Sequence, residues 1–122
     1  HWGIDFTAPK GTPIQATGAG RVVKAERSSS YGNYVVIDHG YGYETLYAHM
    51  SRIDVKRGDK VVRGEQIGLV GSTGRSTAPH CHYELTYKGK KVNPIYYCMD
   101  GLTPEEYQEL VEAAETANQS LD

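Results

Sequence analysis

The chain has 122 residues, a formal charge of −2 and acidic and basic residues interspersed along its length. That length suits one domain with a modest core of its own, and the balanced charge excludes the basic footprint of a nucleic-acid-binding protein or a membrane-surface stretch. No apolar run approaches transmembrane length and no signal peptide is visible, while Cys81 and Cys98 are too few for a disulfide framework and leave open whether they pair.

A start at His1 instead of Met is what a fragment or processed form gives. Fourteen glycines and ten tyrosines beside one phenylalanine predict short strands, tight turns and a contact-making surface. In chain order, His1, Gly3 and Asp5 alternate with Trp2, Ile4 and Phe6, which gives a strand one polar and one apolar face. Residues four apart on a straight strand lie about 13 Å apart. For His1 and Asp5 to reach one bound ion the backbone must bend, and Gly3 is the place for it.

Gly18 to Gly20 turns into a strand carrying Val22-Val23, and Asn33 to His39 is the next strand. Gly40-Tyr41-Gly42 reverses the chain into Tyr43 to His49, a hairpin. Gly58-Asp59 and Gly64-Glu65 bracket the short strand Lys60 to Val62, and the adhesion-like tripeptide Arg57-Gly58-Asp59 reads as the turn before it. Gln66 to Val70 is a strand, 72–79 a loop of small residues, His80 to Lys88 a strand, and Gly89-Lys90 a turn. The end differs: Thr103-Pro104-Glu105-Glu106 is a capping box with proline at the first helical position. Tyr107, Leu110, Val111 and Ala114 then recur at helical spacing. The expectation is a mainly β domain over 1–99 and a helical appendage over 100–122, its helix running from about 104 to 117 with one face on the β domain.

On the strand at 80–88, His80 and His82 share a face and Cys81 points away. Two imidazoles with the distant His1/Asp5 pair form a nitrogen-rich donor set with one carboxylate, which suits zinc. Three protein ligands leave a fourth position for water, the mark of a catalytic site. On spacing alone, ligation by both His80 and His82 is also allowed. Glu84 continues the same face, as a partner that orients a histidine or as a surface charge. There is no HExxH helix to supply a glutamate base, so a histidine takes that part. His39 closes a strand and reads as structural.

His1-Trp2-Gly3-Ile4-Asp5-Phe6, Lys10-Gly11-Thr12-Pro13-Ile14, Tyr31-Gly32-Asn33, Tyr47-Ala48-His49, Gly58 to Gly64, Gly68 to Gly74 and Pro79-His80-Cys81-His82-Tyr83-Glu84 resemble, in that order, the lysostaphin-type (LytM-type) zinc endopeptidases. The resemblance covers residues 1 to about 96. It implies the antiparallel β-sheet core of the lysostaphin-type peptidase fold, with the C-terminal α-helix outside that core. It implies one zinc per chain held by His1, Asp5 and His82, with His49 and His80 as unligated catalytic histidines and Asn33 near the substrate groove. It further implies zinc-dependent hydrolysis of the peptide part of bacterial peptidoglycan, in cross-links or stem peptides, and a place in the cell envelope, periplasmic or secreted. Two departures are the missing residues that usually precede the first ligand, and Cys81 where a more apolar residue is usual.

Two rivals follow. A non-catalytic LytM-type module that binds cell wall or activates another hydrolase typically loses zinc ligands, whereas all five histidine and aspartate positions are kept here. Val55 to Gly64 looks like part of a lipoyl- or biotinyl-carrier domain, but no lysine-bearing hairpin tip accompanies it. The sequence carries no signal of oligomeric state.

Overall fold

The structure, a computed structural model, describes residues 3–74, 76 and 78–92. His1, Cys98 and the expected appendage at 100–122 with its helix lie outside the described residues.

The described residues form nine strands: β1 (Gly3–Thr7), β2 (Pro13–Gln15), β3 (Gly20–Ser28), β4 (Gly32–Gly40), β5 (Tyr43–Ile53), β6 (Lys60–Val61), β7 (Gln66–Val70), β8 (His80–Tyr87) and β9 (Lys90–Val92). All pairings are antiparallel, and the main path runs β1-β8-β5-β4-β3-β6. β2 joins through β7, and β7 lies against the far half of β5. The expected hairpin is present as β4–β5, and the expected turn after β8 closes a second one with β9. Arg57-Gly58-Asp59 is indeed a turn: the Asp59 N–H donates to the Lys56 carbonyl (3.0 Å), and its carboxylate accepts from the Lys56 N–H (2.9 Å).

Alternation sorts the side chains onto two faces. On one face Val22, Val35, Ile37, Tyr47, Cys81 and Tyr83 meet Ile14, Ile67 and Val70 in the main core. The other face carries a smaller cluster of Tyr34, Val36 and Ala48 with Tyr31 and Leu46 against it. It also carries His82 and Glu84, the register neighbours of Ala48 and Leu46. Cys81 is a buried free thiol, and burial pushes its pKa up to about 12. A thiol so placed packs as a small hydrophobe and is inert at neutral pH.

A chain of polar groups runs through the core face. The Ala19 carbonyl can only accept, so His39 donates to it through Nδ1–H (2.8 Å) and its Nε2 accepts from the Thr45 hydroxyl (2.6 Å). Thr45 Oγ1 in turn accepts from Tyr47 O–H (2.8 Å), and Tyr47 accepts from the Thr17 N–H (3.1 Å). This polarity requires a neutral His39, and burial lowers its pKa below the ordinary value. Above about pH 6.5 both folded and unfolded states leave the ring neutral. Below it the unfolded chain gains a proton that the folded ring resists, so stability falls as the solution is acidified towards the depressed folded pKa. The expected result is a melting temperature that drops between pH 7 and 5, with a shallower drop in His39→Gln; identical slopes would remove His39 from the effect.

Candidate active site

Asp5 lies directly opposite His82 in the β1–β8 ladder, with Thr7 opposite His80 and Gly3 opposite Glu84. The ladder is regular from Gly3 to Thr7, so no bend occurs within that stretch. Gly3 has another use. A Cβ built on it would overlap Cε1 of His82 and lie 2.8 Å from Nε2, so the missing side chain is the space the imidazole occupies.

His82 is held at both nitrogens. Nε2 is 2.9 Å from Glu84 Oε2, and Nδ1 is 2.8 Å from Asp5 Oδ1. The Glu84 side chain is 7% exposed and that of Asp5 62%. The buried carboxylate has the stronger claim on an N–H, since it lacks water to replace it. The Nε2–H therefore donates to Glu84, and Nδ1 turns to Asp5. Glu84, followed by Asp5, raises the His82 pKa. Glu84 also accepts from Tyr31 O–H (2.9 and 3.1 Å) and pairs with Lys91 Nζ at 3.3 Å, and these partners hold its own pKa down against its burial. The Tyr31 ring stacks on His82 with centroids 6.3 Å apart and planes 21° apart.

His80 stands beside them. Its Nδ1–H donates to the Ala78 carbonyl (2.9 Å), and its Nε2 is 3.5 Å from Asp5 Oδ1. His49 arrives from β5 by a different device. Ala48 pairs with His82 on β8, whereas Met50 pairs with Val70 on β7, so β5 changes neighbour at His49. On the β4 side the register shifts by one residue between Asn33 and Val35. His49 sits in this bulge with φ of 61°, a left-handed conformation unusual for a non-glycine residue. The bulge re-aims the ring over the site: its centroid is 4.9 Å from that of His80 and 6.2 Å from that of His82.

Several groups hold His49 in place. Its N–H donates to the Tyr31 carbonyl (2.7 Å), and its Nδ1–H donates to the Thr73 carbonyl (2.6 Å). The Thr73 hydroxyl donates to the Met50 carbonyl (2.8 Å) and accepts from the Asn33 N–H (3.0 Å). The Asn33 side-chain amide donates to the same Met50 carbonyl (3.0 Å), so Asn33 is engaged in fastening the bulge. Burial, then the neighbouring histidines, lower the His49 pKa and favour its neutral form. With Nδ1–H committed to Thr73, the lone pair is on Nε2.

The structure thus brings together Asp5, His49, His80 and His82, four of the five expected metal-binding or catalytic residues; His1 is outside the described residues. Among the described residues no three His, Cys, Asp or Glu side chains make a complete metal set. The donor chemistry nevertheless fits a cation: an imidazole nitrogen and a carboxylate oxygen face each other on one strand pair, and a second carboxylate holds the imidazole from behind. Thr73 and Tyr31 had no assigned role in the sequence reading. The signals available for them were the Gly71-Ser72-Thr73-Gly74 run and the Tyr31-Gly32-Asn33 triplet, both turn-like.

A model of the family described as Peptidase family M23 matches residues 1–94. The chain belongs to this family. Among curated relatives, the Peptidoglycan DD-endopeptidase ShyA of Vibrio cholerae is 54% identical over 95 residues, which are 78% of this chain and 22% of ShyA. The chain therefore spans less than a quarter of that relative's length. Among solved structures, a zinc containing peptidase from Vibrio cholerae superposes with a TM-score of 0.76 at 40% identity over 84% of this chain and 31% of that one. The catalytic domain of lysostaphin from Staphylococcus simulans gives 0.74 at 37% identity over 78% and 76%. The family match and these neighbours bear out the antiparallel lysostaphin-type fold, within which Cys81 faces the core and the site residues face the other side.

Proposed function

We propose that this family member is the catalytic unit of a zinc-dependent endopeptidase that hydrolyses peptide cross-links of bacterial peptidoglycan, with a preference for bonds between D-amino acids. The observation that carries this reading is the convergence of Asp5, His49, His80 and His82 from three strands. The name of ShyA supports the substrate, and the zinc containing neighbour supports the metal. Such a substrate puts the chain in the cell envelope; among the described residues no helix is long and apolar enough to cross a membrane.

Asp5 Oδ1 and His82 Nδ1 would hold one zinc, with His1 as the third donor. The chemistry a bound zinc supplies is Lewis acidity, which polarises the scissile carbonyl and lowers the pKa of a water. His49, kept neutral by burial, takes the proton of the attacking water at Nε2. His80, less buried and beside Asp5, hands a proton to the leaving amine. The left-handed backbone at His49 costs about 1–3 kcal/mol and is the strain of a ring aimed in advance.

The test is metal analysis of the purified chain paired with digestion of isolated sacculi, before and after chelation. Asp5→Ala and His82→Ala should lose zinc and activity together. His49→Ala and His80→Ala should keep zinc and lose turnover by about 10²–10⁴-fold. Full digestion by the chelated chain, or near-normal turnover in His80→Ala, would overturn the reading.

A further inference from the structure

Tyr31 reaches both halves of the site at once. Its carbonyl accepts the N–H of His49 (2.7 Å), its hydroxyl donates to Glu84 (2.9 Å), and its ring lies along that of His82 (6.3 Å between centroids). Glu84 is buried, and its Oε2 is shared among His82 Nε2, the Tyr31 hydroxyl and Lys91 Nζ. Without Tyr31 and Lys91 a carboxylate in this place would keep a buried negative charge with one neutral partner, a costly arrangement. With them its Oε2 faces three donors within 3.3 Å, one of them the imidazole N–H. A neutral imidazole that gives one N–H to a carboxylate has its other nitrogen fixed as the electron-pair donor.

We propose that Tyr31 and Glu84 are a positioning pair that makes Nδ1, and not Nε2, the nitrogen His82 presents to Asp5 and the metal. This rests on the zinc reading above. Neither residue touches substrate; they act through His82, and Tyr31 also ties the His82 mount to the His49 bulge. Gly3 is the third element, because it clears the volume in which the ring stands with this orientation.

Tyr31→Phe keeps the ring and the carbonyl and removes the one hydroxyl; Glu84→Gln keeps the shape and removes the charge. Zinc alone, competed against a chromophoric chelator, should bind Glu84→Gln about ten- to hundred-fold more weakly than the parent chain, with a smaller loss in Tyr31→Phe. Long-range proton–nitrogen spectra of the metal-free chain, at a pH where the ring is neutral, should show His82 as a single Nε2–H tautomer in the parent and as a mixture in Glu84→Gln. Parent-like zinc affinity in both variants with an unchanged tautomer would overturn the proposal. If Glu84→Gln fails to fold, Tyr31→Phe decides alone through its zinc affinity. If the parent binds no zinc, the endopeptidase reading falls, while the tautomer spectra still decide whether the pair orients His82.

Discussion

Gly3→Ala is expected to leave the sheet folded while zinc affinity and turnover fall together. The added methyl would overlap Cε1 of His82 and stand 2.8 Å from Nε2. The ring has little freedom to retreat, since Glu84 holds one nitrogen and Asp5 faces the other. Twisting it off its rotamer costs about 0.5–1.5 kcal/mol, which the fold tolerates. The site does not: a shift of about 1 Å in a positioned group costs on the order of 100-fold in rate. Zinc competition, sacculus digestion and a melting curve on one preparation check this. Parent-like zinc binding and turnover would mean that the volume above Gly3 is not needed.

Gly74→Ala should have the largest effect on stability, with Gly32→Ala close behind. Both glycines have left-handed backbones, at φ of 75° and 65°, and each lies where the other would need room. A Cβ on Gly74 would overlap the Gly32 nitrogen and stand 2.7 Å from the Ser30 carbonyl oxygen, while one on Gly32 would stand 2.6 Å from the Gly74 nitrogen. Backbone atoms yield less easily than side-chain tips, so conformational strain and collision add. The cost is about 3 kcal/mol or more, which for a domain of this size lowers the melting temperature by on the order of 10–20 °C. The double substitution should cost less than the sum, because the residues share one contact. Loss of this contact also frees the Thr73 carbonyl that holds His49, so activity should fall at temperatures where the variant is still folded. An unchanged melting temperature would show that the two loops part without cost.

The strand periods made part of this site legible in advance. His80 and His82 project together because a strand alternates, and Cys81 faces the core for the same reason. That Asp5 and His82 share a site is implied by the motif resemblance, but the ladder register that sets them directly opposite each other leaves no local trace across 77 residues of separation. The bend expected near Gly3 concerns the reach of His1 to Asp5, and His1 lies outside the described residues; from Gly3 to Thr7 the ladder is regular. His49 shows the limit most clearly. Tyr43 to His49 reads as a strand that stops, yet β5 runs on to Ile53 and changes neighbours at that histidine. A bulge depends on which strands flank it, and a single β-branched or aromatic pattern does not encode that. Glu84 was ambiguous for a related reason: its burial depends on Tyr31, 53 residues earlier, lying across it.

β1 and β9 share one edge of β8. Gly3 stands against Glu84, and Val92 against the next residue, Leu85. The polypeptide thus enters and leaves this sheet through neighbouring doorways, right behind the carboxylate that supports His82. Whatever a longer protein carries before Gly3 and after Val92 is thereby joined to the sheet at one place, beside the strand that bears His82 and Glu84.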